Sequence, residues 1–429
     1  MEKGGAAVEG KVSEFKKRAI VKSLLDTDMY KFTMGQFVNH FSPETCVTFA
    51  LTNRTKSVKL EEYIDIKELR WQLEQVRALS FSRFEIDYLS SLRTSDGANC
   101  RFNSKYLDFL SGIRLPYFSL EPSGDSFHLK FFGRWNSVIF WEVPALAIVN
   151  ELYARAVMAK LGLDYHTLRE IAQARLDEKI ARLNEMPGIK FMEFGTRRRF
   201  SFSWQEHVIT EMAQKLRHGS MIGTSNVLAA RSLRLKPMGT MAHELFMVRA
   251  GVAGKNDKLL RRSHNLVIQE WLSFYGGDLS ILLSDTFGTE FFFEDLTSRQ
   301  LKQVSGFRQD SGNPFEFAEN AIALWQKNGI DPKSKTIVFS DGLDLEKIEA
   351  LYKRFSPEVN CLFGWGTNLT FDWPEIKPLS LVIKAVGADG QGLVKLSDNI
   401  AKAIGQPEEV ERYKRVFGYK SQYQKDCIV

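Results

Sequence analysis

From about residue 189 onward, short apolar runs alternate with longer amphipathic ones, the pattern of βα units that feed a parallel sheet. The runs predict strands at 189–193, 219–223, 235–239, 279–284, 303–308, 335–340 and 360–364. A series that long favours a closed or nearly closed barrel over an open sheet. Between the strands, a helix is predicted over 314–328. Asn313 is a good N-cap, Pro314 suits the first turn, Phe317, Ala321, Leu324 and Trp325 recur at helical spacing, and Gly329 stops the run. Leu345, Ile348, Leu351, Tyr352 and Phe355 form a second stripe of this kind, and both stripes face a core.

The first 150 residues are patterned differently, with strand-like runs at 46–51, 126–132 and 137–141 and helical runs between them. Near the other end, runs at 379–384 and 392–396 flank Ala388-Asp-Gly-Gln391, a hairpin signal. The expected fold class is α/β: an irregular α/β barrel over 151–374, an additional α+β domain made from 21–150 and 375–429, and a flexible extension over 1–20.

Composition narrows the class. A chain of 429 residues with 44% apolar positions can bury a substantial core. The net charge of +6 is spread without a block of five like charges, so no nucleic-acid tail is expected. Cysteines 46, 100, 361 and 427 have neither zinc-ligand nor disulfide-framework spacing, which fits a reducing, cytoplasmic setting. The most apolar stretch, 136–150, is short and broken by Glu142 and Pro144, and the first twenty residues lack an apolar centre, so neither a membrane span nor a signal peptide is expected.

Chemistry enters at the turns after the strands, where α/β enzymes build their sites. These are Glu193-Phe-Gly-Thr-Arg-Arg-Arg199, Ile222-Gly-Thr-Ser-Asn226, Met238-Gly-Thr-Met-Ala-His-Glu244, Ser284-Asp-Thr-Phe-Gly-Thr289, Phe307-Arg-Gln-Asp-Ser-Gly-Asn-Pro314, Phe339-Ser-Asp-Gly342 and Phe363-Gly-Trp-Gly-Thr-Asn368. Each combines glycine with hydroxyl or charged residues, so their chemistry is expected to converge on one rim. His243 stands in that series rather than alone. The arginines at 197–199 suit a phosphate, through bidentate guanidinium donors, or a solvated helix face. Asp285 and Asp341 read equally as turn or cap residues and as site carboxylates.

Seven motifs in order give the chain its family resemblance: Leu24-Leu-Asp-Thr-Asp-Met-Tyr-Lys31, Phe194-Gly-Thr-Arg-Arg-Arg199, Gly223-Thr-Ser-Asn226, Gly239-Thr-Met-Ala-His-Glu244, Asp285-Thr-Phe-Gly-Thr289, Arg308-Gln-Asp-Ser-Gly312 and Gly364-Trp-Gly-Thr-Asn368. With these it resembles the nicotinate phosphoribosyltransferases over nearly its whole length. The resemblance implies the type II phosphoribosyltransferase fold. It also implies formation of nicotinate mononucleotide and pyrophosphate from nicotinate and phosphoribosyl pyrophosphate, with ATP as co-substrate acting through a phosphohistidine at His243, in NAD salvage. Glu244 or a nearby carbonyl would then hold the imidazole tautomer. The implied nicotinate contacts are Arg308 for the carboxylate, Thr240 for a hydroxyl contact and Tyr30 for stacking, although Tyr30 by itself reads as a core aromatic. The implied phosphoribosyl pyrophosphate contacts are Arg197, Ser340, Asp341, Gly342, Gly366 and Thr367. Mg²⁺ is the implied metal, with Asp285, Asp310 and Asp341 as candidate ligands; the same carboxylates could instead stabilise positive charge on the ribose, Asp310 foremost. A homodimer stays open, with Tyr30 supplied by the same or a neighbouring chain. Asn313 stands where many relatives carry aspartate, which keeps the helix cap and removes a charge.

Three other readings compete. Nicotinamide phosphoribosyltransferases share the barrel and the histidine mechanism, but the triple arginine and the Gly-Thr-Met-Ala-His-Glu form favour the nicotinate branch. Quinolinate phosphoribosyltransferases couple no ATP and lack the histidine turn. A silent, ligand-binding relative would be expected to have lost one of His243, Arg308, Asp310 and Thr367.

Overall fold

The computed structural model describes residues 18–124 and 126–425. Among them the strands are β1 Cys46–Asn53, β2 Phe118–Ser123, β3 Ser126–Arg134, β4 Phe191–Glu193, β5 Met221–Thr224, β6 Ile281–Leu283, β7 Gly306–Gln309, β8 Thr336–Phe339, β9 Asn360–Trp365, β10 Leu381–Ala388 and β11 Gln391–Gly392. Strands β4 to β9 form one parallel sheet in the order β5-β4-β9-β8-β7-β6. The rest form an antiparallel sheet in the order β11-β10-β1-β3-β2. The fold is therefore of the α/β class, with a second sheet drawn from both ends of the chain.

The strand expected at 235–239 is not a strand. This segment meets β5 only through a bridge between Thr224 and Pro237 and a bond from Met238 N–H to the Thr224 carbonyl (2.8 Å). It meets β6 through the Thr240 hydroxyl, which donates to the Ile281 carbonyl (3.1 Å). On the side away from β5, Pro237 has no N–H to donate, so the segment cannot carry a ladder on towards β6. It nevertheless spans the gap between the two edge strands, which makes the barrel irregular.

Residues 137–141 are also not a strand. They lie in the helical turns Trp135–Val138 and Ile139–Trp141, which lead into the helix Glu142–Leu161. A continuous apolar run does not distinguish a buried strand from a buried helix, and here every side chain from 138 to 141 is buried. The helical stretch Trp135–Leu161 is long and apolar enough to cross a membrane, but 94% of its most apolar window lies inside the protein. Strand β2 carries Pro122, which is tolerated because β2 is an edge strand.

The predicted helix is present as Pro314–Lys327, with the Asn313 side chain accepting from Phe315 N–H (3.0 Å). The second stripe lies on Leu345–Phe355, with Leu345, Ile348, Leu351 and Phe355 buried. The hairpin signal is met by β10 and β11, where Asp389 (φ 46°) and Gly390 (φ 79°) make the turn. Of the expected extension, residues 1–17 lie outside the described residues. Ile20 is already buried, and its N–H donates to Gln72 Oε1 (2.9 Å). Cys46, Cys100 and Cys361 are unpaired, and Cys427 lies outside the described residues.

Candidate active site

All six parallel strands run the same way, so their carboxyl ends and the turns after them gather at one end of the sheet. A cavity of about 180 Å³ opens there. Its wall includes Phe194, Arg197, Ser225, His243, Arg308, Asp310, Ser340, Asp341, Gly342, Gly366 and Thr367 from those turns. Tyr30 comes from the start of the helix Met29–Phe41, and Ser380, Val382 and Lys384 come from the first half of β10 and the residue before it. The dispersed sequence turns thus meet around one space within a single chain. Gly239 (φ 157°) makes the Tyr30 approach possible, because a Cβ there would lie 2.8 Å from Tyr30 N.

His243 is the first residue of the helix His243–Val252 and is nearly fully buried. Its Nε2 lies 2.9 Å from Asp310 Oδ2 and its Nδ1 lies 3.0 Å from Thr286 Oγ1. Burial and the Lys395 ammonium lower the imidazole pKa to about 4, against the opposing pull of Asp285 and Asp310. At neutral pH the ring is uncharged and keeps a lone pair. Burial would raise the Asp310 carboxyl, but the hydrogen bond from His243 and the Arg308 charge outweigh it, so Asp310 is an anion. Its other oxygen accepts from Ser340 Oγ (3.1 Å).

Glu244, expected to orient the imidazole, does not touch the ring. It accepts from Lys31 Nζ (2.5 Å) and Trp135 Nε1 (3.1 Å) instead, because the helix turns the next side chain away from the cavity and into the core. Lys31 also pairs with Glu142 (2.6 Å), which in turn accepts from the Tyr30 hydroxyl (3.1 Å). The Tyr30 ring therefore has a fixed setting, with the Arg197 guanidinium 5.8 Å from its centroid. Arg197 is held by Asp28 (3.3 Å) and Glu142 (3.6 Å).

Two predicted residues are not part of the cavity wall. The Thr240 hydroxyl is engaged with the Ile281 carbonyl, so it braces the gap between edge strands rather than pointing at a ligand. Asp285 is fully buried behind the wall, 3.7 Å from His243 Nε2 and 3.7 Å from Lys395 Nζ, and accepts from Ser311 Oγ (2.5 Å). His243, Asp285 and Asp310 offer donor atoms within 4.8 Å of one another, a spacing a metal could bridge. The set does not suit Mg²⁺. One donor is an imidazole nitrogen, Asp285 faces an ammonium, and Asp310 is occupied by His243 and Ser340. Asp341 is likewise paired, with Lys402 (2.5 Å).

Sequence reasoning missed most of the positive charge. Arg54, Lys384, Lys395 and Lys402 join Arg308 and, from the arginine triplet, Arg197 and Arg198 on the wall, seven cations against the carboxylates of Asp28, Asp310 and Asp341. Burial lowers Lys384 to about 8, even beside Glu142, and lowers Arg198 to about 10 with help from Arg197 and Arg54. Cations crowded to that degree need an anion between them. Phe194 was quoted only as part of a motif, yet its ring packs over Gly364 and adds a second flat surface to the wall. Arg308 lines the cavity, and its Nε is buried without a hydrogen-bond partner among the described residues.

A parallel sheet whose carboxyl ends surround a cation-rich cavity, with aromatic rings and an uncharged histidine in the wall, defines an α/β enzyme site suited to a phosphorylated anion. Two family models match the chain: the nicotinate phosphoribosyltransferase (NAPRTase) N-terminal domain over residues 25–150 and the nicotinate phosphoribosyltransferase (NAPRTase) family over residues 189–421. The chain belongs to the nicotinate phosphoribosyltransferase family. Similar solved structures include a nicotinate phosphoribosyltransferase from Porphyromonas gingivalis, at 29% identity and TM-score 0.84, covering 93% of this chain and 100% of that one. A putative nicotinate phosphoribosyltransferase from Saccharomyces cerevisiae matches at 30% identity and TM-score 0.83, covering 94% and 100%. One from Vibrio cholerae matches at 30% identity and TM-score 0.82, covering 94% and 95%.

Proposed function

We propose that the protein joins nicotinate to the anomeric carbon of phosphoribosyl pyrophosphate, releasing pyrophosphate, and couples this to ATP hydrolysis through phosphorylation of His243. Its place is NAD salvage in the cytoplasm. The observation that carries the proposal is an uncharged imidazole, flanked by a carboxylate and a hydroxyl, in the wall of a cavity whose charge is strongly positive. A neutral imidazole is a competent nucleophile toward phosphorus.

Arg308 meets the nicotinate carboxylate with its guanidinium, and Tyr30 stacks on the pyridine ring. Ser340, Asp341, Gly342, Gly366 and Thr367 cradle the ribose phosphate, where glycine allows close backbone approach. Arg197 and the buried lysines take the pyrophosphate. Asp310 lies near the site of positive charge that develops on the ribose as the pyrophosphate leaves. Mg²⁺ enters on the substrate phosphates, neutralising their charge, and no protein carboxylate is assigned to it. Because Tyr30 reaches the cavity of its own chain, these roles need no second copy.

The direct test supplies nicotinate, phosphoribosyl pyrophosphate and Mg²⁺ with and without ATP. Nicotinate mononucleotide should form, faster with ATP. Product from nicotinamide or quinolinate in its place, or no product from any of them, would refute the proposal. Arg308→Gln should raise the KM for nicotinate by about 10- to 100-fold, the loss of a charge-assisted pair, and change nicotinamide use far less. Equal losses for acid and amide would remove Arg308 from the recognition of the carboxylate.

A further inference from the structure

The two nitrogens of His243 stand in different settings. Nε2 faces Asp310, which lines the cavity, whereas Nδ1 faces Thr286, which is 1% exposed and lies behind the wall. A phosphoryl group arriving from the cavity therefore meets Nε2. A neutral imidazole carries one proton, and a carboxylate only accepts. With Asp310 at 2.9 Å, that proton rests on Nε2 and the lone pair rests on Nδ1, the nitrogen that a phosphoryl donor cannot reach.

To present a lone pair at Nε2, the ring must carry its proton on Nδ1, where it needs an acceptor. The Thr286 hydroxyl, at 3.0 Å, is placed for this. A hydroxyl donates or accepts according to its rotation, so one group serves both tautomers without moving its oxygen. The backbone that carries this hydroxyl is held from behind, since the Thr286 carbonyl accepts from Leu396 N–H (2.9 Å) and Ser397 N–H (3.4 Å). Asp310 has another partner when released from the ring, because Ser340 Oγ already lies 3.1 Å from its second oxygen.

We propose that Thr286 is the positioning residue that lets His243 pass from a resting tautomer, bound through Nε2–H to Asp310, to the attacking tautomer, bound through Nδ1–H to Thr286. This rests on the phosphohistidine reading above and names the nitrogen that reacts. In the exchange the ring gives up the proton on Nε2 to cavity water and takes up one on Nδ1 from solvent, so its charge does not change. The Nε2 lone pair then forms the N–P bond, the bond from the γ-phosphorus to the bridging oxygen breaks, and its electron pair leaves with ADP. The ring proton stays on Nδ1, held by Thr286.

The test uses the full-length protein with ATP and Mg²⁺, and reads both the rate of acid-labile phosphate incorporation and, by phosphorus NMR, the nitrogen that carries it. Wild type should carry phosphate on Nε2 of His243. Thr286→Val keeps the side-chain volume and removes the hydroxyl, and should be labelled on the order of a hundredfold more slowly. Thr286→Ser keeps the hydroxyl and should stay within a few-fold of wild type. A packing role would reverse that order, since serine loses a methyl group that valine retains. Phosphate on Nδ1, or a valine variant labelled as fast as wild type, overturns the role of Thr286 and leaves the phosphohistidine standing. A wild-type protein that takes no phosphate from ATP overturns both.

Discussion

A His243→Ala protein should make nicotinate mononucleotide no faster with ATP than without it, and should take no phosphate from ATP. The expectation follows from the setting of the ring. Its pKa is held near 4 by burial and by Lys395, so at neutral pH it is a nucleophile rather than a cation. A phosphoryl group on this nitrogen would sit at the start of a ten-residue helix whose N-cap residue, Ala242, supplies no side-chain cap, where the helix dipole favours negative charge. Loss of the imidazole should therefore remove the whole acceleration by ATP and leave the uncoupled reaction, in which the cations of the wall still bind the substrates. The sign of the pH dependence is fixed too. A free imidazole protonates near 6.5, whereas this one stays neutral to about 4, so wild-type ATP stimulation should persist as pH falls from about 7 to about 5. The measurement is the ratio of initial rates with and without ATP, for both proteins across that range. Undiminished stimulation in the alanine protein would remove His243 from the mechanism.

What the sequence reveals here depends on how local the deciding contacts are. The order of turns after β4 to β9 was legible because a parallel sheet puts every such turn at one end, and periodicity alone identified most of the strands. Residues 235–239 were misread because apolar content says nothing about Pro237, which pairs with β5 through its neighbours but has no N–H to offer on the side away from β5. Lys384, Lys395 and Lys402 were invisible for the opposite reason. Lys384 reaches the cavity from β10, which pairs with β1 across more than three hundred residues, for example Ala50 with Lys384, and Lys395 arrives beside Leu396, whose N–H bonds the Thr286 carbonyl; no local pattern encodes either contact. The role given to Glu244 failed on geometry within a single turn, since adjacent helical side chains point about 100° apart. Thr286 lay inside a quoted motif, but only its distance to Nδ1 distinguishes it from the hydroxyls around it.

The arginine triplet shows how residue type can be read without direction, and it sets the largest expected effect on stability. Arg197 and Arg198 line the cavity, whereas Arg199 points the other way and is fully buried. Its guanidinium makes two parallel bonds to Asp26, both 2.6 Å, and a third to Gln205 Oε1 (3.0 Å). Asp26 is buried as well and also accepts from Asn226 Nδ2 (2.8 Å). The pair joins the turn after β4 to residues 24–29, which are further tied to the turn after β5 by bonds from Val227 N–H to the Thr27 carbonyl and from Met29 N–H to the Ser225 carbonyl. Those residues lead directly into Tyr30, so the clamp is structural but the site depends on it. Arg199→Met should destabilise the fold by roughly 3–5 kcal/mol, because the Asp26 carboxylate is left buried without its cation. The desolvation cost is what dominates, so replacing both partners, Arg199→Met with Asp26→Leu, should recover most of the loss, even though four polar bonds are gone. Denaturant midpoints at unchanged slope would measure this as a double-mutant cycle. A single variant as stable as wild type, or a double variant that loses the sum of both single effects, would show that the pair does not bind the two segments together.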